Sequence, residues 1–330
     1  MTAVAAVTSS RRRSNVLRAA RLLWQDKPAL AALLILVGVG VVAIFAHELA
    51  PHDPNLQDIP HRLMPPSWHG HLLGTDELGR DNLSRIMEAS RVSVVVALSV
   101  VAITMTAGTA IGVLAGFVRG KVDYVIMGVT DSVMAFPGLL MILIIATVLG
   151  AGLRTIIIAL AVTFWTTYAR MARGLVLSLR ESDHIAAARS VGMSELRIVR
   201  VHLLPFVVPQ IASLIPLEMG RVMLNEASVS FLGLGIQPPM ISWGTLIADG
   251  HTYFITGWWL ITFPGIALFL TILAANTLGS WFRLAVDPRH RSGTASWSAE
   301  SVVAGGHWTP WHRHRMQFEA PRGASPTQKE

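Results

Sequence analysis

A window of about 19 residues, the length a helix needs to cross the hydrocarbon core of a bilayer, finds six apolar runs along the chain, near 29–46, 93–118, 125–150, 152–170, 206–230 and 258–280. Each run is expected to be a membrane-spanning helix, and the fold class to be an all-α polytopic membrane protein. The first run, "ALAALLILVGVGVVAIFA", follows a basic stretch from Arg11 to Lys27, as the core of a signal peptide would. Such cores are usually about 7–15 residues long. This one is longer and five more runs follow, so it reads as an uncleaved anchor.

The polar positions between the runs orient them. With the amino terminus inside, the inner segments hold 21 of the 27 Lys and Arg: six in the leader, two at 119–121, six across 170–200 and seven after 280. Arg62, Arg80, Arg85, Arg91 and Arg154 fall outside, and Arg221 lies within a run. Lys and Arg are enriched on the cytoplasmic side of membrane proteins, so 171–205 is expected in the cytoplasm, 47–92 and 231–257 outside, and both termini inside. In the outer loop, the amphipathic stretch "LSRIMEASRVSVVV" is expected to lie along the membrane surface. The chain divides into a basic leader (1–28), the first span with its external loop (29–92), a core (93–285) and a tail (286–330) expected to be disordered.

Inside the runs, small and polar residues break the apolar pattern. Gly108, Gly112, Gly116 and Gly120 recur every fourth residue, a spacing that lets helix backbones approach closely. It serves internal packing or a subunit interface, and internal packing is the expectation. Pro137-Gly138, Pro209, Pro216 and Pro264-Gly265 interrupt later runs, a feature tolerated where neighbours or a water-filled cavity satisfy the freed carbonyls. Glu218 is expected near the bilayer midplane, where a charge costs roughly 2.5–3.5 kcal/mol. Arg221 follows at i+3 on the same face. The two are read either as a structural ion pair or as a pathway lining. Glu226 and Asp131, nearer span ends, are assigned interface or packing roles.

Composition narrows the function. Of 330 residues, 52% are hydrophobic and only 14% charged, and the mean hydropathy is +0.51. The net charge of +7 does not imply nucleic acid, because the arginines sit at the ends of apolar runs rather than on one aromatic-studded face. The absence of cysteine excludes disulfides, thiolate metal sites and thiol nucleophiles. No H-E-x-x-H, G-x-S-x-G or G-x-x-x-x-G-K-[ST] pattern occurs, so neither a zinc protease, a serine hydrolase elbow nor a phosphate-binding P-loop is expected. The tail histidines His290, His307, His312 and His314 are not taken as ligands, and no metal, cofactor or catalytic residue is assigned.

The stretch "HIAAARSVGMSELRIVRVHLLP" (184–205) is polar and helix-prone. Gly192 is expected to separate two short helices, Ser194 to cap the second and Pro205 to end it before the next span. Ala186, Ala187, Ala188, Gly192, Leu204 and Pro205 match the spacing of the cytoplasmic "EAA" loop of ABC-importer permeases, E-A-A-x-x-x-G-x(9)-I-x-L-P, with Ala186 in place of Glu and His202 in place of Ile. "HLLGTDELGRDNLSRIMEASRVS" (71–93), "NEASVSFLGLGIQPPMISWGTLIADG" (225–250) and "WWLITFPGIALFLTILAANTLGSWFRLAVDPR" (258–289) resemble the dipeptide/oligopeptide/nickel branch of these permeases, specifically the partner with a short leader.

The likeness spans residues 20–290. It implies a six-span, type I permease fold with a cytoplasmic coupling helix in 181–205, in which Ala186–Ala188, Arg189, Gly192, Leu204 and Pro205 couple to an ATPase. It further implies four partners: a homologous second permease, two ATP-binding subunits and an external solute-binding protein. Closure of the ATPases would move 181–204 as a lever. The rival reading is a self-contained secondary transporter, which would need its own ion site at broken helices and often has inverted repeats; no repeat between the halves is seen.

Overall fold

The computed structural model describes residues 23–286 except His69. Most of the basic leader, and the tail with its four histidines and its expected disorder, lie outside the described residues.

Helix α1 (Lys27–Ile44) starts at Asp26, whose side chain accepts the Ala29 N–H at 3.2 Å, with Pro28 in the first turn where its missing N–H costs nothing. A one-turn α2 (Ala46–Leu49) leads into an irregular segment that ends at Asp81. Asp81 caps α3 (Asn82–Val118) by accepting the Ser84 N–H at 2.9 Å. At about 1.5 Å per residue this helix is near 55 Å long, well beyond the roughly 30 Å hydrocarbon core. The amphipathic stretch expected to lie along the membrane surface is instead the beginning of this unbroken helix. No Pro or Gly stands between Asn82 and Gly108 to turn it, and its polar face is buried: Asn82, Ser84, Arg85, Ser90 and Ser93 point inward. Trp243 fastens that face, its indole N–H donating to the Ile86 carbonyl at 3.0 Å and its backbone N–H to Ser93 Oγ at 3.1 Å.

The third apolar run is not one straight helix. α4 (Gly120–Ala135) and α5 (Gly138–Leu149) meet at 92°, because Pro137 disfavours helical angles at the residue before it and Phe136 adopts φ −80°, ψ 140°. α6 (Leu153–Arg180) runs past the expected end of the fourth span. Its extra turns carry Arg170 and Arg173, which are held by Asp131 at 2.6 Å and by both oxygens of Asp123 at 2.5 and 2.7 Å.

Then follow α7 (Asp183–Ser190), α8 (Glu195–Ile198), a π turn (Val199–Leu203), α9 (Leu204–Ala212) and α10 (Ile215–Phe231). α11 (Trp243–His251), opened by a Ser242–Thr245 capping box, and α12 (Trp259–Val286) complete the fold. Pro205 was expected to end the second short helix, yet helical structure runs from Glu195 to Ala212. The π turn widens the coil just before Pro205, so that its ring and missing N–H fit without breaking the path. The helix breaks later, with a 50° bend between Ala212 and Ile215. Among the described residues, four helices are long and apolar enough to cross a membrane, or up to six crossings if each bent pair counts as one.

Two buried clusters hold the helices together. One joins Val96 and Val100 of α3 to Ile142, Ile156, Leu160, Met223 and Trp243. The other joins Val113, Tyr168 and Val176 to Ile185, Ile198, Leu203 and Ile211. The second contains the anchors of the 184–205 segment. Along α3, Gly108, Gly112 and Gly116 face α6 of the same chain. A Cβ on Gly108 would stand 2.8 Å from Tyr168 Cβ, one on Gly112 would press into the Ala169 backbone, and one on Gly116 would lie 3.0 Å from the Arg173 carbonyl oxygen. Gly120 is not part of this contact: it follows the helix end at Arg119, with φ +62° and nothing near its Cβ position.

Candidate functional site

The 184–205 segment is built on a tight helix stop. α7 ends in a Schellman motif, with the Met193 N–H donating to the Ala188 carbonyl at 3.2 Å and the Gly192 N–H to the Arg189 carbonyl at 2.9 Å. Gly192 occupies the required left-handed position at φ +76°, with open space where a Cβ would be. Arg189 spans the bend to Glu195, its Nε and Nη2 donating at 3.2 and 3.3 Å, and so ties α7 to α8. Ser194 stands at the cap of α8, but its side chain makes no capping bond.

The alanine triplet divides between two faces. Ile185 and Ala188 are buried against the second core cluster, whereas Ala186 and Ala187 are exposed. Ala188, expected to meet a partner surface together with Ala187, is only 7% exposed and packs inside its own chain. The helix period forces this, since Ile185 and Ala188 at i and i+3 share the inward face. Val191 (79% exposed) and Leu196 (60% exposed) are also at the surface of this segment. Their apolar side chains lie outside the spacing pattern, so residue matching alone passes over them. Leu204 is half-buried and Pro205 exposed at the foot of α9. His202, where the pattern has Ile, lies 6.1 Å from the His184 ring, and its buried Nε2 has no hydrogen-bond partner.

The segment is tethered to the spans. Arg119 at the end of α3 bonds Glu181 at 2.6 Å, while Arg180 donates to the Phe117 carbonyl and lies over the Phe117 ring at 5.5 Å. Both tethers join the start of 181–205 to the α3–α4 junction. These contacts tie the segment to α3 and α6, which pack closely against each other through the glycine contact.

The intramembrane polar residues form separate groups rather than one file. Glu218 is buried in the first turn of α10 with Arg221 Nη1 3.7 Å away, a loose ion pair, and its second carboxylate oxygen has no hydrogen-bond partner. Arg221 is half exposed and rests on the Phe164 ring at 4.5 Å, near Thr167 at 3.5 Å. Glu226 is fully enclosed, accepting from Ser230 Oγ and Ser242 Oγ at 2.7 Å each, and so joins α10 to the start of α11. Asp131 pairs with Arg170 on the exposed face of α4. On the loop side of α11, an open cavity of about 620 Å³ is lined by Glu77, Arg80, Arg85, Phe231, Gln237 and Asp249. Burial pushes the carboxyls of Glu77 and Asp249 above their ordinary values, Arg80 and Arg85 pulling both back in part.

Residues 108–292 match the family described as "Binding-protein-dependent transport system inner membrane component", and residues 15–66 match "N-terminal TM domain of oligopeptide transport permease C". The nickel transport system permease protein NikC of Escherichia coli (strain K12) is 39% identical over 257 residues, covering 78% of this chain and 92% of that protein. The di/tripeptide transport system permease protein DppC of Pseudomonas aeruginosa (strain UCBPP-PA14) is 37% identical over 275 residues, covering 81% and 91%. A solved inward-facing structure of the MetNI methionine ABC transporter aligns at 19% identity with a TM-score of 0.49, covering 59% of this chain and 94% of that one. Matched by the family over more than half its length and by relatives along nearly all of theirs, the chain belongs to the multi-pass inner-membrane components of binding-protein-dependent transport systems.

Proposed function

We propose that this chain is one of two homologous permease subunits of an ATP-driven importer for peptides or related small solutes, with nickel complexes inside the same range. The observation that carries the reading is the outward face of Ala186, Ala187, Val191 and Leu196, held by a Schellman bend and an ion pair and tethered to α3 and α6. Small side chains let another protein approach the helix closely, and the exposed Val191 and Leu196 offer apolar surface to bury. The occupied groove belongs to an ATP-binding subunit, where hydrolysis takes place. Closure of a pair of such subunits biases the spans between inward-open and outward-open arrangements. An external solute-binding protein delivers the solute to the outer loops, for which the cavity beside α11 is the entry. The relatives named for nickel and for di/tripeptides support this range and no narrower one.

The orientation follows from the arginine distribution. Reporter tags at residues 60 and 240 are expected to read outside and a tag at 185 to read inside. A tag at 185 exposed to the outer side would end the docking account, since an ATPase cannot reach it there.

Glu218 and Arg221 are proposed to stabilise one another near the midplane. Arg221→Gln alone leaves a buried carboxylate without a counter-charge and is expected to cost more than the same change in a Glu218→Gln background, a coupling of about 0.5–3 kcal/mol. Thermal unfolding of the four detergent-solubilised proteins tests this. Strictly additive shifts would show that the two charges act independently.

A further inference from the structure

Outside the alanine loop and the spans, the described residues hold one group of side chains with the composition of a metal site. His52, His71 and Asp81 bring their ligand atoms within 4.8 Å of one another. His71 Nδ1 lies 2.8 Å from Asp81 Oδ1, and His52 Nδ1 lies 3.7 Å from Asp81 Oδ2. The two rings are 4.8 Å apart and tilted by 40°. We propose that these three residues bind a transition-metal dication, with two imidazoles and one carboxylate as ligands and solvent completing the shell.

Three features support a built site. First, the carboxylate is fixed from behind. Asp81 Oδ2 accepts both the Ser84 N–H at 2.9 Å and the Ser84 hydroxyl at 2.7 Å, so Oδ1 stays turned toward His71, while His52 Nδ1 stands on the Oδ2 side at 3.7 Å. Ser84 Oγ also accepts the His52 backbone N–H at 3.1 Å, which ties the first histidine to the same hub. Outer partners of this kind orient ligands and tune their affinity.

Second, Asp81 is 2% exposed, and a buried carboxylate needs compensating positive charge. The nearby arginines are engaged elsewhere: Arg80 holds Asp76 at 2.6 Å and Glu77 at 3.1 Å, and Arg85 holds Asp76 at 3.3 Å. Besides the Ser84 N–H and hydroxyl at the head of α3, the two histidines are what face Asp81, and a dication between them adds positive charge directly.

Third, the dimensions are close to those of a bound state. Metal–nitrogen and metal–oxygen bonds of roughly 2.0–2.2 Å place neighbouring ligand atoms about 3 Å apart in a six-coordinate shell and about 3.4 Å apart in a tetrahedral one. His71 and Asp81 already stand near the shorter separation. His52, with 41% of its side chain exposed, is free to close the remaining gap.

Two imidazoles with a single carboxylate suit Zn²⁺, Co²⁺ or Ni²⁺, not Mg²⁺ or Ca²⁺, which require mostly oxygen ligands. Once bound, the ion clasps the segment after α2 to the head of α3. This site is independent of the transport reading, and it differs from the sequence expectation of no metal because its ligands are far apart along the chain.

The test uses the full-length protein in detergent, purified without a histidine tag and stripped with EDTA. His290, His307, His312 and His314 are changed to Ala in all samples so that the tail does not contribute. Co²⁺ is expected to bind at one per chain, with visible absorption that Zn²⁺ abolishes, and to raise the unfolding temperature. His52→Ala is expected to weaken binding by at least about tenfold. His61→Ala, at an exposed outer histidine paired only with Asp58, should leave binding unchanged. No stoichiometric Co²⁺ uptake by a folded protein, or uptake that His52→Ala leaves intact, would show that the cluster is only a helix cap with His71 hydrogen-bonded to it and His52 nearby.

Discussion

Ala187→Arg and Gly192→Val are each expected to reduce uptake and solute-stimulated ATP hydrolysis by at least about tenfold, equivalent to about 1.4 kcal/mol of lost coupling, while membrane insertion and pairing with the second permease persist. The separation of effects follows from geometry. Ala187 is exposed, so a longer side chain there extends into solvent and blocks close approach by another protein. At Gly192 a Cβ would also meet nothing within 4 Å, so the fold is not overpacked. What changes is the φ of +76°, which costs a non-glycine residue roughly 1–2 kcal/mol and is a genuine outlier for a β-branched one. The bend relaxes, the Schellman bonds loosen, and the alanine face turns away from its groove. Folded yield, ATPase co-purification and uptake measured together decide the matter. Uptake at the wild-type level with either substitution would mean that 184–205 is a connector and nothing more.

Gly112→Leu is expected to have the larger effect on the protein itself. The Cβ position at Gly112 lies 2.8 Å from the Ala169 carbonyl carbon and 2.9 Å from its Cα, and backbone cannot swing aside as a side-chain tip can. The only relief is separation of α3 from α6. Overpacking a tight contact typically costs 1–3 kcal/mol; here the displaced partner is a helix, so the penalty lies at or above about 3 kcal/mol on the same scale. Size-exclusion chromatography in detergent should show collapse of the monodisperse peak. Gly38→Leu and Gly128→Leu are the controls, because a Cβ at either meets nothing within 4 Å. A Gly112→Leu protein as monodisperse and heat-stable as these two would contradict the helix contact.

Much of this architecture can be read from residue spacing because it depends on local rules. Six apolar runs, the glycine stripe at every fourth position and the Gly192 turn each follow from periodicity or from backbone angles that favour glycine. Features that depend on partners remote in sequence cannot be read that way. Pro137 marks a break, but residue spacing gives no value for the 92° angle at it. The buried polar face at the start of α3 is covered by Trp243, which comes from a segment 150 residues downstream to reach Ser93. Pro205 reads as a helix end until the π turn before it is seen. Ala188 and Ala187 are indistinguishable as letters, and only the position of Ile185 and the core beneath it assigns one inward and the other outward. The meeting of His52, His71 and Asp81 is likewise a product of the folded loop.

The central claim is that the outward face of α7 and α8 docks on an ATP-binding subunit, and because the chain contains no cysteine a single introduced thiol reports on it cleanly. The decisive measurement is site-specific cross-linking from Ala187→Cys, Leu196→Cys and Ala188→Cys variants co-expressed with the ATPase subunits. The account predicts cross-linked product from Ala187→Cys and Leu196→Cys, formed from the cytoplasmic side, and none from Ala188→Cys, whose thiol points into the second core. Cross-linking from Ala188→Cys with none from Ala187→Cys, or no product at any of the three in a complex that still transports, would contradict it.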